Sequence, residues 1–174
     1  MRVICFALAL ALSACVNSNS GSTLSGSFDD NASNPLKPSS MIPENETSAE
    51  AAKVLMLTNE YRARNNLGPL TWNPKLALAA QRYAEQMANE GFFSHTSSAG
   101  VTVGQRITSA GYDWWTYGEN IAYGYSTPEK VMEGWINSSG HRANLLAQSY
   151  QDLGVGYAEG GTGVAYWVQD FGAR

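Results

Sequence analysis

His95 and His141 are the only two histidines in this 174-residue chain. The first lies in FFSHTSSAG (92–100) and the second in SSGHRANLL (138–146), both glycine- and serine-rich, loop-like stretches beside apolar segments. An imidazole in such a place can ligate a divalent metal through a neutral ring nitrogen, move a proton near neutral pH, or organise a loop by hydrogen bonding. Spacing alone does not choose among these, because no HExxH pair sets two imidazoles on one helix face. Ser138 and Ser139 precede His141, but the chain has no GxSxG elbow and no third histidine to spare. A serine nucleophile also needs a base in hydrogen-bond reach that is itself oriented by a third group, and nothing in the spacing provides that geometry.

The elements that must bring the histidines together are legible from period and punctuation. A capping box at Thr47-Ser48-Ala49-Glu50 opens a first helix. Ala51, Val54, Leu55, Thr58 and Tyr61 then form one buried stripe. The helix closes at NNLG, with Gly68 suited to the left-handed turn. Asn59 and Arg62, nearly one turn apart, read as structural. Asn73-Pro74 is a cap followed by proline at the first helical position. Leu76, Ala77, Ala80, Tyr83, Ala84 and Met87 line one face of the helix that follows, which stops near Gly91.

A short helix is predicted over 102–110, ending at Gly111. Another begins at Thr127-Pro128-Glu129, with Val131, Met132, Trp135 and Ile136 inward. Arg142 and Asn144 read as turn stabilisers where the chain leaves that helix. The period then changes: DLGVGYA (152–158) and VAYWVQDFG (164–172) each alternate about EGGTG, which predicts an antiparallel hairpin. NIAYGY (120–125) offers a third strand. Helices before and between strands, without regular βαβ alternation, indicate an α+β fold. Tyr123, Tyr125, Tyr157, Tyr166 and Trp167 are assigned to the sheet faces. Trp114, Trp115 and Tyr117, with Phe92 and Phe93, read either as ordinary core and surface aromatics or as the rim of a cavity for an apolar or sugar-like ligand.

Upstream of these elements the chain is of another kind. Residues 1–14, MRVICFALALALSA, carry one basic residue and a short apolar run that ends in small residues before Cys15. The run is too short to span a bilayer, and it reads as a secretory leader. Leu12-Ser13-Ala14-Cys15 resembles the bacterial lipobox, so cleavage before Cys15 and acylation of Cys15 are expected. The alternative is a conventional cleavage site with an incidental cysteine. Cys5 leaves with the leader and Cys15 carries lipid, so no disulfide is expected and the domain must rely on its packed core. Residues 15–45 form a Ser/Asn/Gly-rich flexible tether of roughly 30 Å root-mean-square span. The globular domain is assigned to 46–174. Loss of the leader leaves 10 basic against 15 acidic residues, net −5, with no basic cluster. That argues against nucleic acid as a partner.

Six segments stand in one order: LTNEYRARNNLGPLTWNPKLALAAQRYAEQMA, FFSH, YGENIAYG, GWINSSGHRANLL, LGVGYA and YWVQDFG. Together they resemble the bacterial branch of the CAP superfamily, or SCP domain. That superfamily comprises cysteine-rich secretory proteins, antigen 5 and pathogenesis-related 1 proteins. The resemblance covers about residues 50–174 and implies an α-β-α sandwich with a small antiparallel sheet between helical layers.

It also implies a cavity lined by two histidines and two acids, matched here by His95, His141 and, in the GEN motif, Glu119. The second acid belongs three positions after Trp135, where this chain has Ser138, so the tetrad is reduced to three. Glu133 lies five residues before Ser138, roughly 140° away around a helix, and is not expected to substitute. His95, Glu119 and His141 form the candidate site for a divalent metal such as zinc, with water as the fourth ligand. Hydrogen-bonded imidazoles without metal are the plainer reading, and Glu119 can equally be a buried acid that fastens a loop.

The expected protein is an envelope-anchored lipoprotein, monomeric, held to the membrane through lipid on Cys15. If the source is a Gram-negative bacterium, Val16 after the cysteine resembles outer-membrane sorting. Its domain is expected to act as a binding or interaction module for a metal, a small apolar ligand or an envelope component. The alternative is a metal-dependent hydrolase acting on peptide or envelope polymers.

Overall fold

A computed structural model describes residues 48–174; the leader, the lipidation site Cys15 and the tether lie outside the described residues. Helix α1 (Ala49–Arg64) starts at the Ser48 cap, whose side chain accepts from the Ala51 N–H at 3.1 Å. Its buried stripe is Ala51, Val54, Leu55 and Thr58 as expected, but Arg62 rather than Tyr61 completes it. Arg62 reaches the carbonyls of Gly68, Leu145 and Ala147 at 2.8–2.9 Å. The left-handed residue after α1 is Asn66, φ 58°, not Gly68. Asn tolerates that region because its side chain is short, and Gly68 is left without a positive φ.

Strand β1 (Thr71–Trp72) pairs in parallel with Asp152 and Leu153 and had no period to announce it, being two residues long. Helix α2 (Pro74–Glu90) begins at the Asn73 cap and ends on Gly91 at φ 67°. Its predicted inner face is buried throughout. Helix α3 (Val103–Ser109) carries a capping box between Thr102 and Gln105. Strand β2 (Thr116–Tyr123) begins four residues earlier than expected, so Glu119 lies within a strand. Helix α4 (Pro128–Asn137) is followed at once by α5 (Ser139–Leu146), so Arg142 and Asn144 belong to a helix and not to a turn. The hairpin strands are β3 (Asp152–Glu159) and β4 (Ala165–Ala173).

The four strands run in the order β1-β3-β4-β2, antiparallel except for β1. Helix α2 covers one face through Ala80, Tyr83, Ala84 and Met87, packed on Ile121 and Val168. Helices α1, α4 and α5 cover the other, where Val54, Leu55, Trp135 and Leu145 meet Leu153, Val155, Trp167 and Phe171. The result is the α-β-α sandwich. The glycines of β3 set the α2 spacing. A Cβ on Gly154 would stand 2.1 Å from the Ala77 nitrogen, and one on Gly156 2.3 Å from the Ala80 carbonyl carbon. Helix backbone therefore rests on strand backbone at these two positions.

Strand β2 is an edge, and unpaired edge carbonyls are an invitation to association. Side chains close it instead. Tyr150 Oη donates to the Tyr117 carbonyl (3.2 Å), Asn144 Nδ2 to Glu119 (3.1 Å) and Trp135 Nε1 to Ile121 (3.4 Å). The segment running from α4 past α5 is fastened along β2 in this way, and that brings His141 beside it.

Candidate functional site

Gly91 ends α2 and turns the chain into the loop that holds His95. The Tyr83 hydroxyl, from α2, donates to the Ser94 carbonyl at 2.5 Å and ties the loop down. His95 Nδ1 lies 2.7 Å from Glu119 Oε1. The other carboxylate oxygen, Oε2, accepts from Arg106 Nη2 at 2.5 Å. Arg106 Nη1 meanwhile donates to the carbonyls of His95 (3.1 Å) and Val101 (3.2 Å). Its guanidinium carbon sits 3.3 Å from the Tyr83 ring centroid, a cation–π arrangement. Exposure divides the cluster sharply: the side chains of Glu119 and Arg106 are 1% and 9% exposed, that of His95 55%.

Directly across the β2–β4 ladder from Glu119 is Asp170, fully buried, with no donor reaching either oxygen. Burial, and secondarily the Glu119 charge opposite, hold its carboxyl well above the usual carboxylate range. In the protonated form Asp170 has an O–H to direct at Glu119. Burial pushes the Tyr83 phenol up to about 12, against the neighbouring Arg106 charge.

His141 enters from α5. Its carbonyl accepts from Asn120 Nδ2 at 3.2 Å, and its half-buried ring leaves Nδ1 enclosed and unpartnered. Burial, with the nearby His95 as the lesser cause, lowers its pKa, which favours the neutral ring. A small enclosed void beside it is lined by Phe93, Ile121, Tyr125 and Trp135.

The structure thus joins His95 to Glu119 directly and sets His141 close by. Arg106, Asp170 and Tyr83 belong to the same cluster and were missed by sequence reasoning. Asp170 had left a signal. In AYWVQDFG it shares a face with Tyr166 and Val168, so an acid stands where the alternation calls for an apolar residue. Arg106 had none, because one arginine on a seven-residue helix reads as solvated. Glu133 is exposed on α4, away from the role of a second acid.

The predicted aromatic rim divides. Phe92 and Phe93 pack on Tyr83 and Tyr123, whereas Trp114 and Tyr117 line a separate groove on α3.

Both Glu119 oxygens are committed, one of them to a cation. A metal ion ligated by Glu119 would have to displace the Arg106 guanidinium. Among the described residues no three His, Cys, Asp or Glu side chains are arranged to hold a metal. What the site offers is a pair of imidazoles. With His95 neutral, Nδ1–H donates to Glu119 and Nε2 presents its lone pair outward; that is how an outer carboxylate orients an imidazole ligand. Neither Ser138 nor Ser139 supplies a partner to the enclosed His141 nitrogen.

Comparison with known proteins agrees with this architecture. The family model described as "Cysteine-rich secretory protein family" (CAP) matches residues 55–171. The uncharacterized protein YkwD of Bacillus subtilis is 38% identical over 124 residues, covering 71% of this chain and 47% of that protein. The uncharacterized membrane protein YlbC of the same organism is 34% identical over 140 residues, covering 78% and 39%. The chain therefore spans less than half the length of these curated relatives. Among solved structures, an extracellular SCP-domain protein of Bacillus anthracis superposes with a TM-score of 0.67 at 33% identity, covering 72% of this chain and 40% of that one. An outer surface protein of Borrelia burgdorferi gives 0.64 at 26% identity, covering 70% and 90%. The chain belongs to the cysteine-rich secretory protein (CAP) family, in its bacterial branch.

Proposed function

We propose that this protein is an envelope-anchored lipoprotein whose CAP domain works as a binding module, with His95 and His141 as the groups that meet the ligand. The observation that supports this reading is the closure of Glu119. Its carboxylate is bound on one side by His95 and on the other by Arg106, so Glu119 is not free to act as a general base. The oriented His95 ring is nevertheless more than half exposed. A rigid, outward imidazole next to a second, neutral one suits capture of a ligand better than turnover.

A divalent ion such as Zn²⁺ fits as such a ligand through the two imidazoles, with Glu119 orienting His95 from the outer shell. When bound it would present an open coordination position to an envelope component. Anchoring through lipid on Cys15 rests on the lipobox-like LSAC and accords with the membrane and extracellular descriptions of the relatives.

The test is calorimetric titration of the chain from Val16 onward with ZnCl₂, beside His95→Ala and His141→Ala. Micromolar or tighter binding lost in both variants is expected. Equal heats in all three proteins would make the histidines purely architectural. Metal-dependent hydrolysis of peptide or envelope polymers that disappears in both variants would replace the binding module with a hydrolase.

A further inference from the structure

The small void beside His141 is not the only concavity among the described residues. An open groove of about 590 Å³, within the range of small-molecule sites, runs along helix α3 and shares no lining residue with that void. Gly104, Gln105, Thr108 and Ser109 recur at the spacing of one helical face and form one wall. Arg106 leaves α3 on another face, toward Glu119. Trp114 and Tyr117 form the opposite wall, ring centroids 4.5 Å apart in an edge-to-face pair. This aromatic wall is held in place before any ligand arrives. Trp114 Nε1 donates to Thr108 Oγ1 at 3.0 Å. Tyr117 lies against Gly104, where a Cβ would come within 3.1 Å of its hydroxyl.

Three features of the lining define a ligand. No acid, lysine, arginine or histidine lines the groove, which disfavours charged polymers. The rim hydrogen-bonds in ways that internal contacts leave open. Gln105 Oε1 is taken by the Thr102 cap, but its amide N–H groups are not. Thr108 accepts from Trp114 and keeps its own O–H to donate. Finally, exposed apolar surface reaches the groove and its margin. Of the three large hydrophobic residues exposed among the described residues, Val101 lines the groove and Trp115, 62% exposed, follows Trp114.

We propose that this groove binds a neutral oligosaccharide. One sugar ring lies with its C–H face on Trp114, and its hydroxyls bond to Gln105, Thr108 and Ser109. A pyranose has an apolar face and a polar equator, and the groove has an aromatic wall and a neutral polar rim. A lipid chain would leave that rim unpaired and would itself stay wet in an open groove. Prealigned aromatics keep the ordering cost of binding low. This site is independent of the histidine cavity, and its ligand belongs to the glycan part of the envelope.

The experiment titrates the chain from Val16 onward with the tetramer of N-acetylglucosamine and with cellotetraose, read by tryptophan fluorescence and calorimetry. Saturable binding of at least one, insensitive to salt, is expected. Trp114→Ala should weaken it about tenfold or more, as truncation of an aromatic anchor does. Trp114→Phe should restore most of it. Thr108→Val, at an exposed position, removes both the O–H offered to the sugar and the acceptor that holds Trp114, and should weaken it about fivefold or more. His95→Ala should leave it unchanged, which separates this site from the metal reading above. Absence of saturable binding to both sugars would overturn the proposal. So would equal affinity in the wild type, Trp114→Ala and Thr108→Val, or loss of binding in His95→Ala.

Discussion

Asp170 stands directly across the antiparallel β2–β4 ladder from Glu119, on the same face of the sheet, and only Glu119 of the two is reached by Arg106. One cation and two buried carboxyls cannot all be satisfied in ionised form, and the pKa of Asp170, which Arg106 does not reach, is raised first by burial and then by Glu119. A raised folded-state pKa favours folding below the unfolded value and loses that contribution as pH rises through the folded value. Asp170→Asn keeps the shape and removes the titration. The unfolding free energy of the wild type minus that of the variant should therefore fall as pH rises from about 4, by up to about 1.4 kcal/mol per pH unit within the window. His141, lowered mainly by burial, loses stability in the opposite direction, as pH falls below its unfolded value. It titrates in both proteins and cancels. Urea unfolding at pH 4 to 8 measures the difference; one that grows with pH would mean an ionised Asp170 paired with Arg106.

The two partners of Glu119 should differ in weight. Arg106 is 9% exposed and His95 55%, so loss of Arg106 strands a buried carboxylate while loss of His95 admits water. Arg106→Met is expected to cost about 3 kcal/mol and His95→Ala under about 1 kcal/mol. A double-mutant cycle with Glu119→Gln should return a coupling of over about 1 kcal/mol for Arg106. Additive effects would show that the pair contributes nothing beyond packing.

Asn144 links the site to the edge of the sheet, donating to the Glu119 carbonyl and to Asn120 Oδ1 at 2.9 Å. Asn144→Ala leaves the β2 carbonyl unpaired, at a cost of about 1–3 kcal/mol, and frees the segment that places His141. Chemical denaturation should show that loss. Zinc affinity, where the wild type binds zinc, should fall with it, although Asn144 touches no ligand.

Much of the fold was legible because it rests on local rules. Asn73-Pro74, Thr127-Pro128 and Gly91 are caps whose chemistry acts within one turn, and the α2 stripe is a period. The histidine–glutamate contact was legible only through the family resemblance, since His95 and Glu119 are 24 residues apart and on different elements. Arg106 was hidden for another reason. An arginine gives no sign in sequence that it will be desolvated by a tyrosine ring, whereas Asp170 broke the apolar alternation of β4 but had no partner to name until the register with β2 was known. Gly154 and Gly156 stand in a strand whose alternation gives them no role of their own. Their role depends on Ala77 and Ala80, on a helix more than 70 residues earlier in the chain.

The membrane attachment has its own test. Cys15→Ser should leave the precursor unprocessed or release the domain from membranes, and labelled palmitate should enter only the wild type. Equal labelling of the variant would remove the lipid anchor from the functional reading while leaving the domain's chemistry untouched.

The α2 layer carries Tyr83 to Arg106 and leads into the His95 loop, so its distance from the sheet bears on the site. Gly154 sets that distance, because a Cβ there meets backbone that cannot swing aside as a side chain can. Gly154→Ala should destabilise the domain by about 3 kcal/mol or more, the upper end of overpacking costs. Gly161, in the hairpin loop with nothing within 4 Å of a Cβ, should accept alanine within about 0.5 kcal/mol. Thermal unfolding of the two variants decides. If α2 yields easily, they will melt alike, and the site will have to be regarded as held by its own hydrogen bonds instead of by the layer beneath it.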